Sequence, residues 1–322
     1  MVNVIIPTYR ARETLPAALD SLVAQTKKMF FTTLVQDCDG EDYSDIIAEY
    51  TRRGLKINLL STHINSGPGV ARQVGIDNSG MCDYVMFMDS DDMLMPRAVE
   101  ILNQEAKKNN ADIIISSFLV EKAHEPGLLF DSDTAPVTWT HGKIYRKQYL
   151  IDNGIRFPND LRLNEDSFFN LVAVNSTKSK FRIKEVTYLW RDNPNSLTRG
   201  KESGNFFEKS WEQYILGQAR GLLEIERITD GAGPDPGLIA ATLNNMYQHF
   251  MQAIYYGLDT TEAKHYCSIL NVSSTFKKAI DTSDFWKTIQ EVLKGSMMTD
   301  DTIIFFKMRF CDWLDEYVLK NI

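Results

Sequence analysis

The 322-residue chain is 43% hydrophobic and carries a formal charge of −8, with a sequence pI near 5.3. That length suits one large domain or two, and the acidic balance offers no overall attraction to nucleic acid or to an anionic bilayer. Cys38, Cys82, Cys267 and Cys311 stand far apart without a C-x-x-C pair, which argues against a zinc module or a disulfide framework.

In chain order, Val4-Ile5-Ile6 runs into Pro7 too soon for a signal peptide. Later apolar runs such as Thr302 to Phe306 fall far short of the roughly 18–20 residues that span a bilayer. A cytoplasmic protein with free thiols is expected. Short apolar runs predict strands at Val2–Ile6, Thr33–Gln36, Ile57–Leu60, Tyr84–Met88 and Asp112–Ser116. Between the first two, Leu15, Leu19, Leu22 and Val23 recur at helical spacing behind Pro16, which a first helical turn tolerates. Pro96 opens another helix with an inward stripe of Ala98, Ile101, Leu102 and Ala106. This alternation is the pattern of an α/β fold with a mostly parallel sheet, in which ligands bind beyond the carboxyl ends of the strands.

From about Asn205 only helical periods continue, through Trp211, Ile215 and Leu222, then Leu243, Met246 and Phe250, then Phe285 and Ile289, then Ile304, Met308, Cys311 and Leu314. The expected division is therefore residues 1–204 and a helical bundle at 205–322. The turn-rich 230–237 stretch lies inside that bundle. Its apolar stripes are expected to pack on the first domain, shaping acceptor access, or to mediate a homo-oligomer.

The chemistry concentrates where Tyr84-Val-Met-Phe-Met88 stops at Asp89-Ser90-Asp91-Asp92, gathering carboxylates at a strand end. A hard cation, Mn²⁺ or Mg²⁺, would relieve their repulsion and leave coordination sites for phosphates; a helix cap before Pro96 is the structural alternative. Pro7-Thr8-Tyr9 and Asp37 place an aromatic ring and a carboxylate on adjacent loops, suited to a stacked base. Asn65-Ser66-Gly67-Pro68-Gly69 sets glycines ahead of a helix carrying Arg72.

Taken together, V-I-I-P-T-Y, N-S-G-P-G-V-A-R-Q and M-F-M-D-S-D-D-M-L-M-P resemble glycosyltransferase family 2, over residues 2 to about 200. The resemblance implies a GT-A type fold: a Rossmann-like sheet flanked by helices. It implies that Pro7, Thr8, Tyr9 and Asp37 line the nucleoside pocket, that Arg72 borders the donor site, and that Asp89 lies near ribose and diphosphate. Asp91, with Asp89, would ligate the metal. Where the family has D-D-G-S, this chain has Gln36-Asp37-Cys38-Asp39, so Asp37 or Asp39 could meet the base. Leu163-Asn164-Glu165-Asp166 is similar to the family's E-D motif, which makes Asp166 the catalytic base. The segment from Tyr188 to Arg199 resembles a loop over the diphosphate, with Arg191 and Arg199 as its cations. Lys143 matches a family segment without an assigned role, and His141 beside it is either a metal neighbour or a polar surface group.

The expected reaction is inverting transfer from a nucleotide sugar, a UDP-sugar first, to a hydroxyl of a glycan or polysaccharide. The alternatives are a phage-type transferase acting on modified bases in DNA, a nucleotidyltransferase, and a non-catalytic binding protein. An excess of acid over base after Asn205 disfavours DNA.

Overall fold

The computed structural model describes residues 1–121, 129–132, 138–193, 206–295 and 309–319. The chain divides into two compact units, Met1–Gly204 and Asn205–Ile322. In the first, a nine-stranded sheet has the order β3-β2-β1-β4-β8-β6-β9-β5, with β7 (Leu129–Ser132) also on β6. Strands β1 (Val2–Thr8), β2 (Phe30–Gln36), β3 (Ile57–Ser61) and β4 (Tyr84–Phe87) are mutually parallel. Between β4 and β6 (Ile113–Glu121) lies β8 (Lys143–Arg146), antiparallel to both. Strand β9 (Lys180–Trp190) runs parallel to β6 through a bulge, and the short β5 (Met93–Leu94) closes the edge against it. The anticipated sheet is thus mixed in its second half.

Strand β1 continues through Pro7, which sequence alone left as a possible strand end. Pairing with β4 reaches only Ile5, so the missing N–H of Pro7 falls beyond the neighbour that would have used it. The crossover helices are α1 (Leu15–Val23), α2 (Ser44–Arg52), α3 (Pro68–Asp77) and α4 (Ala98–Lys108). Helix α3 lies close on β1 because Gly75 has no side chain: a Cβ there would stand 2.4 Å from Ile5 Cγ2. Helices α5 (Lys147–Asp152) and α6 (Glu165–Asn175) complete the unit.

In the second unit, α7 (Phe206–Ile228) and α8 (Pro236–Tyr255) carry the predicted stripes, with Trp211, Ile215, Leu243, Met246 and Phe250 buried together. Asp235 caps α8 by accepting from the Leu238 N–H, and Pro236 takes the position where no donor is needed. Helices α9 (Thr261–Ser268), α10 (Ser274–Ile280) and α11 (Ser283–Gly295) follow, and residues 309–319 form a last helix whose Leu314 and Val318 are buried. Ile304 and Met308 lie outside the described residues. No helix among the described residues is long and apolar enough to cross a membrane.

Candidate active site

Beyond β4 the chain turns through Asp89-Ser90-Asp91-Asp92, and the structure gives the three acids different surroundings. Asp92 points inward and is 1% exposed. It accepts from the Tyr188 hydroxyl at 2.6 Å and from the Arg191 N–H at 2.8 Å. Burial, then the charges of Asp89 and Asp91, push its carboxyl well above the usual range against those two donors. The same Tyr188 oxygen accepts the Asp89 N–H at 3.1 Å, so one phenol pins both ends of the turn. Asp89 and Asp91 keep outward positions. Asp89 is paired with Arg72 at 2.7 Å and its side chain is 39% exposed, while Asp91 accepts from Asn193 Nδ2 at 2.7 Å.

Arg72 sits almost wholly buried on α3 and spends its guanidinium on two acids, Asp89 and, at 2.8 Å, Glu165. Arg72, expected at the border of the donor site, ties the β4 turn to the start of α6 through these two pairs. Gly69, one helical turn earlier, makes room: a Cβ there would meet Glu165 Cγ at 2.5 Å. Helix α6 begins from Asn164 in the left-handed region at φ 60°, which asparagine tolerates. One guanidinium faces several acids. Burial, then the neighbouring Asp166 charge, push Glu165 up to about 7 against the pull of Arg72. Asp166 is half-buried and accepts from the Ser167 N–H at 2.8 Å. Burial raises its carboxyl above the usual value, with Arg72 opposing, so it is a stronger proton acceptor than a free aspartate once ionised.

On the nucleoside side, Pro7 and Thr8 are buried and Tyr9 is exposed, with the Arg10 guanidinium 5.2 Å from its ring centre. The Thr8 hydroxyl is a buried group without a partner among the described residues. Asp37 accepts from Thr62 Oγ1, the Ser66 N–H and the Gly67 N–H. Asp39 accepts from four donors: Gln36, Glu41 N–H, Arg10 N–H and Tyr43. A carboxylate offers about four lone-pair sites. Asp39 is therefore filled, whereas Asp37 accepts from three donors. Asp37 thereby holds the Gly67 turn.

Arg191 holds Asp92 through its backbone, and its side chain stands 3.8 Å from Glu121. Arg199 lies outside the described residues. His141 is not a surface group: it is buried, stacked on Tyr188 at 4.9 Å and on Trp139 at 5.5 Å. Tyr188, Asp92, Asn193 and Lys143 were not assigned roles from sequence. Lys143 is buried, donating to the Trp139 and His141 carbonyls. Burial, with Arg182 adding repulsion and Asp166 opposing, pushes its ammonium down to about 7.

The outward donors, Asp89 and Asp91, are hard oxygens, which fits Mg²⁺ or Mn²⁺ held by one or two carboxylates and completed by substrate phosphates. Among the described residues no group of three or more His, Cys, Asp or Glu is disposed as a self-sufficient metal cage.

Comparison with known proteins agrees with this architecture. The family model described as "Glycosyl transferase family 2" matches residues 3–158, from β1 to just past α5, and stops short of Asp166. The uncharacterized glycosyltransferase EpsJ of Bacillus subtilis is 27% identical over 62% of this chain and 63% of its own length. The poly(ribitol-phosphate) beta-N-acetylglucosaminyltransferase TarP of Staphylococcus aureus is 30% identical over 63% of this chain and 68% of its own. The S. aureus enzyme TarS, residues 1–349 in complex with UDP-GlcNAc, superposes with a TM-score of 0.67 at 20% identity, covering 87% of this chain and 81% of that one. This chain matches 63% of the length of EpsJ and 32% of full-length TarS. With its GT-A type sheet and its relatives all pointing one way, the chain belongs to glycosyltransferase family 2.

Proposed function

We propose that the chain transfers a sugar from a UDP-sugar to a hydroxyl of a glycan acceptor, with inversion and with a divalent cation at Asp89 and Asp91. The observation that carries this reading is the linkage Asp89–Arg72–Glu165, which couples the acidic turn to the helix start bearing Asp166. It is supported by the superposition on TarS, a protein solved with UDP and with UDP-GlcNAc.

Tyr9 covers one face of the base, and the Asp37 carboxylate meets a ring N–H. A bound Mn²⁺ or Mg²⁺ supplies charge stabilisation to the departing diphosphate. Arg191, and Arg199 from the segment that follows, add cationic donors to that leaving group. Asp166 takes the proton from the acceptor hydroxyl as it attacks the anomeric carbon from the face opposite the leaving group. Arg72 is a positioning residue, setting Asp89 against α6. Catalysis belongs to residues 1–204, and the helical unit shapes acceptor access or self-association.

Incubation with a panel of nucleotide sugars and Mn²⁺, reading released nucleotide, tests the proposal. UDP release that EDTA abolishes is expected. Release from another nucleotide's sugars, or release indifferent to EDTA, would overturn the donor or the metal assignment.

A further inference from the structure

A pair of indoles, Trp139 and Trp190, stands at the carboxyl edge of the sheet beside the candidate base. Trp190 ends β9. Trp139 precedes β8, which runs opposite to its neighbours, so the residues entering β8 lie at the end where β4 and β6 finish. Along this edge the loops after β2 and β1 come first, then the acidic turn after β4, then the indoles. The indoles therefore lie on the side of the acidic turn away from the nucleoside loops.

Their rings stand 5.1 Å apart at 56°. Beneath them is a buried layer: His141 lies nearly parallel to Trp139, Tyr188 stacks on His141, and Phe118 meets Trp139 and His141 edge-on. The supporting rings are buried, while both indoles keep solvent-facing surface.

The pair is held from two directions. Asn170 on α6 donates to the Thr138 carbonyl and to the Asp166 carbonyl, and its own oxygen accepts from Tyr145. The loop carrying Trp139 and the backbone of Asp166 thus share one side chain. The Trp139 carbonyl accepts from the buried Lys143 Nζ, which ties the loop to the start of β8. On the other side, the residue after Trp190 donates its N–H to Asp92. The platform is therefore fixed to the base's helix and to the acidic turn alike.

We propose that Trp139 and Trp190 form the acceptor subsite of this transferase and hold a pyranose ring by stacking. This rests on the reading of Asp166 as the base. A pyranose presents a flat face of C–H bonds that matches the negative face of an indole, while its hydroxyls stay at the rim. An open-chain polyol has no such face. The side chains next to the pair carry both signs, Glu121 and Asp192 with Arg191, which suits a neutral glycoside better than a phosphate-linked chain.

The test is saturation-transfer NMR on the full chain with Mn²⁺ and UDP, using methyl β-D-glucopyranoside, methyl N-acetyl-β-D-glucosaminide and ribitol 5-phosphate as probes. At least one pyranoside should receive saturation on its ring C–H protons. Trp139→Ala and Trp190→Ala should each weaken its binding about ten-fold, and Trp190→Phe should keep it within a few-fold. Calorimetry of UDP should be unchanged in all three variants, which also reports that they are folded. Equal pyranoside affinity in wild type and the alanine variants, or saturation of ribitol 5-phosphate alone, would overturn the platform. A wild type that binds a pyranoside through these tryptophans but fails to bind UDP would support the platform and count against the donor assignment.

Discussion

Tyr188→Phe removes a single oxygen that serves two partners. The hydroxyl donates to buried Asp92 at 2.6 Å and accepts the Asp89 N–H at 3.1 Å, and Tyr188 itself has no exposed surface. A buried bond to a charged group contributes about 1.5–3 kcal/mol and a neutral one about 0.5–1.5. The phenylalanine variant should therefore lose about 2–4 kcal/mol, seen as an earlier urea midpoint with an unchanged slope. A cycle with Asp92→Asn isolates the first bond, with an expected coupling of about 1.5–3 kcal/mol. Because the Asp89 N–H is released, the turn carrying Asp89 and Asp91 loosens, and Mn²⁺-dependent UDP affinity should fall about ten-fold, the equivalent of about 1.4 kcal/mol. A loss below about 0.5 kcal/mol together with unchanged UDP affinity would refute the view that Tyr188 pins the turn.

Asp91→Ala should abolish Mn²⁺-dependent UDP binding in calorimetry while leaving the melting temperature within a few degrees, since the residue sits on a turn and relieves repulsion with its neighbours. Lys143 gives a pH signature: its folded ammonium, pushed down to about 7 from an ordinary 10.5, binds its proton less tightly than in the unfolded chain. Its contribution is thus least favourable below about pH 7 and improves as pH rises towards 10.5. The stability of wild type relative to Lys143→Met should accordingly increase between pH 7 and 10, by at most about 4 kcal/mol at 1.36 kcal/mol per unit, as read by urea unfolding at several pH values. Gly75→Ala should cost about 1–3 kcal/mol in the same assay, because its methyl group would meet fully buried Ile5 at 2.4 Å.

Much of the first unit was legible because its signals are local. The apolar run Tyr84–Met88 stops abruptly at four polar residues, and Pro16, Pro68 and Pro96 mark helix starts, so β4 and three of the crossover helices could be placed. The mixed half of the sheet was not legible: β8 is only four residues long and its antiparallel insertion between β4 and β6 leaves no periodic trace. The division of labour within Asp89-Ser90-Asp91-Asp92 was hidden for a related reason. Which acid turns inward is decided by Tyr188, 96 residues away from Asp92. Likewise the sharing of Arg72 between Asp89 and Glu165, the latter 93 residues on, leaves no local trace. The burial of His141 has no pattern in the sequence, because it comes from the aromatic residues of β6 and β9. The different hydrogen-bond loads of Asp37 and Asp39 depend on donors from several loops, which leave no local trace.

The most direct test of the account separates donor binding from chemistry. Asp166→Asn keeps the shape of the side chain and removes its ability to accept a proton, while Asp89, Asp91, Tyr9, Asp37 and Arg191 are untouched. UDP-sugar affinity measured by calorimetry with Mn²⁺ should stay within a few-fold of wild type, while the rate of transfer falls by about 10²–10⁴, the usual contribution of a general base. If donor affinity and transfer fall in equal proportion, Asp166 belongs to the donor site. If transfer persists at the wild-type rate, the base lies elsewhere, with Glu165 the first residue to examine.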